Sequence, residues 1–321
     1  MPNKRALIIG IAGQDGSYLS ELLLEKGYEV YGMVRGAPEE RYERLEPFRD
    51  RLELLQGDLL DQSSLEAVLR ETQPEEVYNL AAPSFVPTSW TQPALTSEFI
   101  AIGVTRLLEA IRNTNPETLF YQASSSEMFG NATQTPQNEE TPFKPRSPYG
   151  AAKVYAHHMI SNYRERYDMY AVSGILYNHE SPRRGLEFVT RKVTNSVAQI
   201  KLGKSAELRM GSMDAVRDWG YAGDYVRAMW LMLQQDTPDD YVIATGKAKT
   251  VQDLVSTAFS YVGLDWEKHV VIDEKFVRPP EEHTLVGDPS KAIRQLGWKC
   301  ETSFEAMIHH MIDVDVQRHC G

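Results

Sequence analysis

Tyr149-Gly-Ala-Ala-Lys153 puts a phenol and an ammonium four residues apart, a spacing that brings them onto one face of a helix. An ammonium beside a phenol favours the phenolate and lowers the phenol pKa, which makes Tyr149 a usable general base near neutral pH. Upstream stands Ser124-Ser125-Ser126-Glu127. The Ser125 hydroxyl can bond the substrate oxygen that Tyr149 deprotonates, so Ser125, Tyr149 and Lys153 together suit oxidation of an alcohol. Glu127 adds a group that simple alcohol oxidation does not need. A carboxylate there suits removal of a proton from the carbon beside a newly formed ketone.

Alcohol oxidation of this kind needs a hydride acceptor, and the start of the chain offers a place for one. Gly10, Gly13 and Gly16, with Gln14 and Asp15 among them, separate an apolar strand segment from a helical one. Glycines there permit a tight turn and close backbone approach to a diphosphate, whose charge is favoured at the following helix N-terminus. The spacing is GxxGxxG rather than the usual GxGxxG. At the end of the second strand segment, where an acid would bond the ribose of NAD, stands Arg35, which suits the 2′-phosphate of NADP. NADP is therefore expected ahead of NAD. Asp58 and Leu59 at the tip of the third strand, and Ala81 ending the fourth, complete the expected cofactor edge. Asp58 is placed to bond an adenine amine, an ordinary turn aspartate being the alternative. Further on, Arg183, Arg184, Arg191, Lys192 and Arg217 concentrate positive charge in an acidic chain. Guanidinium forks match phosphate oxygens, so this group suits a nucleoside diphosphate, with solvated salt bridges as the plainer reading.

These residues need a scaffold, and the apolar pattern supplies one. Arg5–Gly10, Glu29–Arg35, Leu52–Gln56, Glu76–Ala81, Thr118–Ala123 and Ala171–Tyr177 read as strands. Ser17–Lys26, Ser63–Glu71, Gly103–Arg112 and Tyr149–Tyr167 read as the helices between them; in the third, Val104, Leu107, Leu108 and Ile111 fall at i, i+3, i+4 and i+7. Such alternation predicts an α/β fold, a Rossmann-type doubly wound parallel sheet covered on both faces. After Pro182 the rhythm changes, with helices expected at Val189–Leu202, Asp224–Gln234, Val251–Val262 and Ser303–Val314 and short strands near Leu208–Met210 and Tyr241–Ala244. We expect residues 1–180 to carry the cofactor and 181–321 to form a smaller mixed α/β substrate lobe, with interleaved segments.

Composition narrows the function classes. The chain has 321 residues, 42% hydrophobic and 25% charged, so it can bury a sizeable core and is not a disordered or collagen-like polymer. A formal net charge of −11 argues against a nucleic-acid partner. Two cysteines, Cys300 and Cys320, make no disulfide framework, and a reducing cytoplasmic compartment is expected. No apolar run approaches the ~20 residues of a membrane span. The pairs His157–His158 and His309–His310 and the His319–Cys320 step lack metal-ligand spacing, so no metal is expected.

Five stretches carry a family resemblance: Gly10–Leu19, Ala123–Gly130, Ser147–Lys153, Tyr177–Gly185 (YNHESPRRG) and Arg217–Tyr221 (RDWGY). Together they resemble the GDP-mannose 4,6-dehydratases, extended short-chain dehydrogenase/reductases, and the similarity runs over nearly the whole chain. The resemblance implies a redox-neutral dehydration of a GDP-sugar. Tyr149, with Lys153 and Ser125, would take the C4 hydroxyl proton while hydride passes to NADP; Glu127 would take the C5 proton and help the C6 hydroxyl leave. Asn178, Arg184, Arg191 and Arg217 would hold the diphosphate and sugar, and Arg278 and Glu281 the ribose and phosphate end. Family members pair through the helices at 103–112 and 149–167, which implies a homodimer, with a homotetramer as the alternative. Pro83 and Phe85 replace a common Gln and His, His283 departs from the family pattern, and the loop after Arg35 is short. A GDP-heptose 4,6-dehydratase or a GDP-4-keto-6-deoxy-sugar reductase is the alternative activity; Glu127 weighs against the reductase, which needs no C5 base.

Overall fold

In the computed structural model, which describes residues 3–37, 42–276 and 284–320, β1 (Arg5–Ile9) leads into α1 (Gln14–Glu25). Ala6 to Ile9 are all buried, as expected of a central parallel strand covered on both faces. Then follow β2 (Glu29–Val34), β3 (Leu52–Gln56), α2 (Gln62–Thr72) and β4 (Glu76–Asn79). Two short helices, α3 (Thr88–Thr91) and α4 (Pro93–Ser97), run through a π-turn at Glu98–Ile102 into α5 (Gly103–Thr114). β5 (Leu119–Ser125), α6 (Pro148–Tyr167) and β6 (Ala171–Leu176) complete the first part.

After β6 come β7 (Asn178–Glu180), α7 (Val189–Lys201), β8 (Leu208–Met210), β9 (Val216–Tyr221) and α8 (Ala222–Met232). β10 (Asp240–Ile243), β11 (Ala248–Thr250), α9 (Val251–Tyr261), β12 (Val270–Ile272), α10 (Ser290–Leu296) and α11 (Phe304–Cys320) end the chain. The large sheet has seven strands in the order β10-β6-β5-β4-β1-β2-β3, every neighbouring pair parallel. This is the doubly wound arrangement, and strand order reverses between β1 and β4, the crevice where such sheets take ligands.

One face of the sheet is covered by α1 and α8, through Leu19, Leu23, Val226, Met229 and Met232. The other is covered by α2, α5 and α6, through Leu65, Val68, Leu69, Ala156, Ile160 and the α5 stripe Val104, Leu107, Leu108 and Ile111. Each fully buried aliphatic side chain of this kind is worth roughly 1.5–3 kcal/mol. Helix ends are set by local chemistry: the Asp61 carboxylate accepts the Ser63 and Ser64 amides at the start of α2, and Gln73, in the left-handed region at φ 41°, ends it just before Pro74.

The second lobe packs α7, α9 and α11 through Val193, Val197, Leu254, Val255, Phe259, Met307, Ile308, Met311 and Ile312. It carries two small sheets, β11-β9-β7 and β12-β8. The chain returns to the first lobe, since α8 lies on α1 and β10 is an edge of the large sheet. Among the described residues, no helix is long and apolar enough to cross a membrane.

Candidate active site

The candidate catalytic corner is built where β5 ends. Ser125 is the last residue of the strand, a 3₁₀ turn carries Ser126–Met128, and the Ser125 hydroxyl oxygen accepts the Glu127 amide at 3.2 Å. α6 starts opposite. Ser147 caps it by accepting the Gly150 amide at 3.0 Å, and Pro148 fits the first helical position, where a missing N–H costs nothing. That start places Tyr149 in the first turn and Lys153 one turn later. Gly150 permits the approach of the two segments, because a Cβ there would lie 2.6 Å from the Glu127 carbonyl oxygen.

Tyr149 is buried against Ile100 and Ala101 of the π-turn and Ala152 of its own helix. Lys153 is buried too; its ammonium donates to the Ala123 carbonyl at 2.6 Å and lies 5.7 Å from the Tyr149 ring centroid. Burial lowers the Lys153 pKa to about 8, the Asp15 charge resisting. Burial likewise pushes Tyr149 up to about 12; a hydrogen bond with Ser125 and the Arg184 charge pull it down, while Glu127 and Asp15 push it further up. The phenol is therefore not lowered as the Tyr–Lys spacing predicts. Desolvation dominates, and the Lys153 ammonium is engaged with a backbone carbonyl. Among the described residues, the hydroxyl of Ser124, the buried residue before Ser125, has no partner.

The glycine turn sits at the strand-order switch. Gly10 has φ +88°, and a Cβ on it would lie 2.8 Å from the Ala81 amide nitrogen, so turn and β4 end meet backbone to backbone. At Gly16 a Cβ would come within 2.5 Å of the Gly10 carbonyl oxygen. Gly13 caps α1 and donates its amide to that same carbonyl at 3.0 Å. Arg35 is exposed at the end of β2, its guanidinium 5.1 Å from the Phe99 ring centroid. Asp58 accepts the Leu60 amide at 3.0 Å, the bond of a turn aspartate, and Leu59 is buried in the core beneath α5.

The loop from Asn178 to Arg191 faces this corner and is held by remote acids. His179 bonds the Asp15 carboxylate through Nε2 at 2.8 Å and the Tyr177 carbonyl through Nδ1 at 2.7 Å. Gln14 donates to the His179 carbonyl at 3.0 Å and accepts the Ser181 hydroxyl at 2.7 Å. Arg183 forks onto Glu21 at 2.8 and 2.9 Å. Arg191 is buried: it meets Asp315 at 2.6 Å and donates to the Pro182 and Arg184 carbonyls at 2.8 and 2.9 Å. The Arg184 guanidinium lies over the Phe188 ring at 3.6 Å, and Phe188 packs edge-on against Phe85 at 5.7 Å. Asn178 and Arg217 are brought near each other because β7 pairs with β9, Asn178 opposite Trp219. Arg217 is half-buried and donates to the Val216 carbonyl at 2.7 Å. Arg278, Glu281 and His283 lie outside the described residues.

Sequence reasoning missed the acids that organise this loop. Asp315 had a signal: it continues the stripe Phe304, Met307, Ile308, Met311, Ile312 of α11, and an acid on an apolar face calls for a buried cation. Asp218, which holds a different turn by accepting the Thr245, Gly246 and Gly287 amides, was also missed and had no such signal.

The sequence model of the GDP-mannose 4,6 dehydratase family matches residues 7–311. The chain is 51% identical over 328 residues to GDP-mannose 4,6 dehydratase 1 of Arabidopsis thaliana, covering 98% of this chain and 91% of that protein. Among solved structures it resembles a UDP-glucose 4-epimerase of Thermus thermophilus in complex with NAD (TM-score 0.83, 26% identity, 97% of this chain and 98% of that one). It also shares the fold of RMD from Pseudomonas aeruginosa complexed with NADPH (TM-score 0.83, 22% identity, 98% and 100%).

Proposed function

The chain belongs to the GDP-mannose 4,6-dehydratase family, and from that premise we propose that it is a hydro-lyase converting GDP-D-mannose to GDP-4-keto-6-deoxy-D-mannose through Ser125, Glu127, Tyr149 and Lys153. One observation carries the choice of dehydration over simple reduction. Glu127 is fixed in the same corner as the Tyr–Lys pair, by the Ser125 hydroxyl that accepts its amide and by Gly150 against its carbonyl.

The residues at the switch point fit a nicotinamide dinucleotide. Gly10 and Gly16 leave no room for side chains between the turn and Ala81 or Ile11, so the turn presents bare backbone at the N-terminus of α1. Gly10, Gly13 and Gly16 would face the diphosphate, and Arg35, with no acid beside it on β2, favours the 2′-phosphate of NADP over NAD. When bound, this group supplies storage for the hydride, taken from C4 as the ketone forms and given back at C6 after water has left, with a proton returning to C5, so that the dehydration is redox-neutral.

Tyr149 takes the C4 hydroxyl proton, with Ser125 holding that oxygen and the Lys153 cation offsetting the phenolate charge. Glu127 then takes the proton from C5, acidified by the neighbouring ketone, and passes a proton to the departing C6 hydroxyl, which leaves as water. In this reading Arg184 and Arg217 meet the diphosphate and sugar with Asn178. Arg191 holds the loop's Pro182 and Arg184 carbonyls, and it meets the diphosphate and sugar with them.

In this reading residues 1–180 carry the dinucleotide and 181–321 the GDP-sugar. Exposed Ile102 at the end of the π-turn leading into α5, and exposed Tyr155 and Tyr167 on α6, support a homodimer through α5 and α6. Two free cysteines accord with a cytoplasmic setting. Purified protein given GDP-mannose should release a product lighter by one water, and denaturing it should free NADP rather than NAD. A product retaining all its oxygens would point to a reductase or epimerase instead.

A further inference from the structure

His179 is a titratable residue of the Asn178–Arg191 loop that no step above uses. It is buried, it stacks on Tyr225 of α8 at 4.7 Å, and both of its ring nitrogens are bonded. Both partners are acceptors. The Tyr177 carbonyl can only accept, and the Asp15 carboxylate, which also receives the Gln14 amide at 3.0 Å, is acceptor-only when ionised. A neutral imidazole has one N–H, so two accepting partners call for the doubly protonated ring.

The position of Asp15 gives that charge a purpose. Asp15 lies in the first turn of α1, directly after the Gly10–Gly13 turn, with its side chain 20% exposed. An uncompensated carboxylate there would repel a diphosphate competing for the same helix N-terminus. We infer that His179 is a positioning residue: as an imidazolium beneath the glycine turn it neutralises Asp15, so that the turn accepts a dinucleotide diphosphate while staying tied to the substrate loop. This rests on the dinucleotide reading above.

The surroundings are consistent with it. Burial opposes a charged ring, but the Asp15 charge and hydrogen bond outweigh burial and raise the His179 pKa, with Arg184 opposing. Burial raises Asp15, and His179, Gln14 and Arg184 together bring it below the usual carboxylate range. The other titratable groups around the pair are Tyr225 on α8, Tyr121 on β5, and Tyr149 and Lys153 on α6, the last three coupled to Asp15 by charge.

Two measurements on the full-length protein test it. In the unaltered protein, nitrogen NMR of labelled histidine should show both His179 ring nitrogens protonated at pH 7; a neutral ring overturns the inference without any variant. For binding, NADP⁺ titrated calorimetrically should bind His179→Gln about ten- to a hundredfold more weakly than the parent, and more weakly than it binds Asp15→Asn. The double variant Asp15→Asn/His179→Gln should recover to within a few-fold of the parent, because the offending charge is gone. A merely structural contact predicts that both single variants weaken binding and that the double does no better, and that pattern overturns the inference. If the parent binds neither NADP⁺ nor NAD⁺, the dinucleotide reading fails and the diphosphate role falls with it. A doubly protonated His179 would then remain as a charge without that purpose.

Discussion

The candidate catalytic corner and the Asn178–Arg191 loop lie within reach of each other's charges but are held by different forces. Ser125, Glu127 and Tyr149 are fixed by backbone: a strand end, a 3₁₀ turn, an N-cap and a glycine contact, all from residues 125–150. The loop is fixed by side-chain ion pairs to Asp15 and Glu21 near the start of the chain and Asp315 near its end. Local backbone geometry can hold a reacting group without spending its charge. Ion pairs that hold a loop share charges that would otherwise be wholly free for ligand, and Arg191 is the clearest case. In the corner, substitutions should therefore damage chemistry more than folding; in the loop's anchors, folding and substrate binding should fall together.

The largest expected effect lies in the corner. Tyr149→Phe keeps the ring that packs on Ile100 and Ala101 but removes the proton acceptor, and turnover should fall by roughly 10²–10⁴-fold. Urea unfolding should move by no more than ~1 kcal/mol, the worth of the lost hydrogen bond. Equal losses of stability and activity would erase the contrast between the regions.

The anchors should behave in the opposite way. Asp315→Asn leaves buried Arg191 and half-exposed Arg318 facing a neutral amide, and breaking such a buried pair should cost about 3–5 kcal/mol of unfolding free energy. The KM for GDP-mannose should rise in the folded fraction, while the rate at saturation changes less. A cost under ~1 kcal/mol in urea titrations would mean that the loop is held elsewhere.

Lys153 sharpens the comparison, because it is a charge that the corner keeps at the expense of stability. Its pKa falls from 10.5 to about 8 through burial, on the order of 3 kcal/mol of destabilisation. For a pKa depressed in the folded protein, this cost is fully present below about pH 8, is relieved as pH rises, and is gone above 10.5. Lys153→Met should thus unfold at higher urea than the parent at pH 7, by somewhat less than that amount since the bond to the Ala123 carbonyl is lost. The advantage should vanish above pH 10.5, and activity should be lost throughout. A variant less stable than the parent at pH 7 would show that the ammonium is not a net burden.

The same contrast governs what could be read from the sequence. β1 and α5 announced themselves through Ala6–Ile9 and the Val104, Leu107, Leu108, Ile111 stripe, because burial against a sheet imposes a period on residue type. The corner was legible because its residues are close in the chain. β7 and β9 were not: Asn-His-Glu and Val-Arg-Asp-Trp-Gly-Tyr are mostly polar, and only their mutual pairing makes them strands. The Tyr–Lys spacing correctly put both groups on one helix face, but spacing carries no information on desolvation, which dominates both pKa values. The Arg191–Asp315 pair was not legible, because Asp315 lies more than a hundred residues away and no local pattern joins them.

The account turns on Glu127 as the base that makes this corner a dehydratase. Glu127→Gln keeps size and hydrogen bonding but cannot take the C5 proton, so the first oxidation should proceed and elimination should stop. Enzyme carrying its own dinucleotide would be mixed with less than one equivalent of GDP-mannose, quenched, and the sugar nucleotide read by mass. The account predicts a GDP-hexose lighter by two hydrogens with every oxygen retained, and water loss slowed by roughly 10²–10⁴-fold. Water loss at the parent rate, or GDP-mannose recovered unchanged, would contradict it.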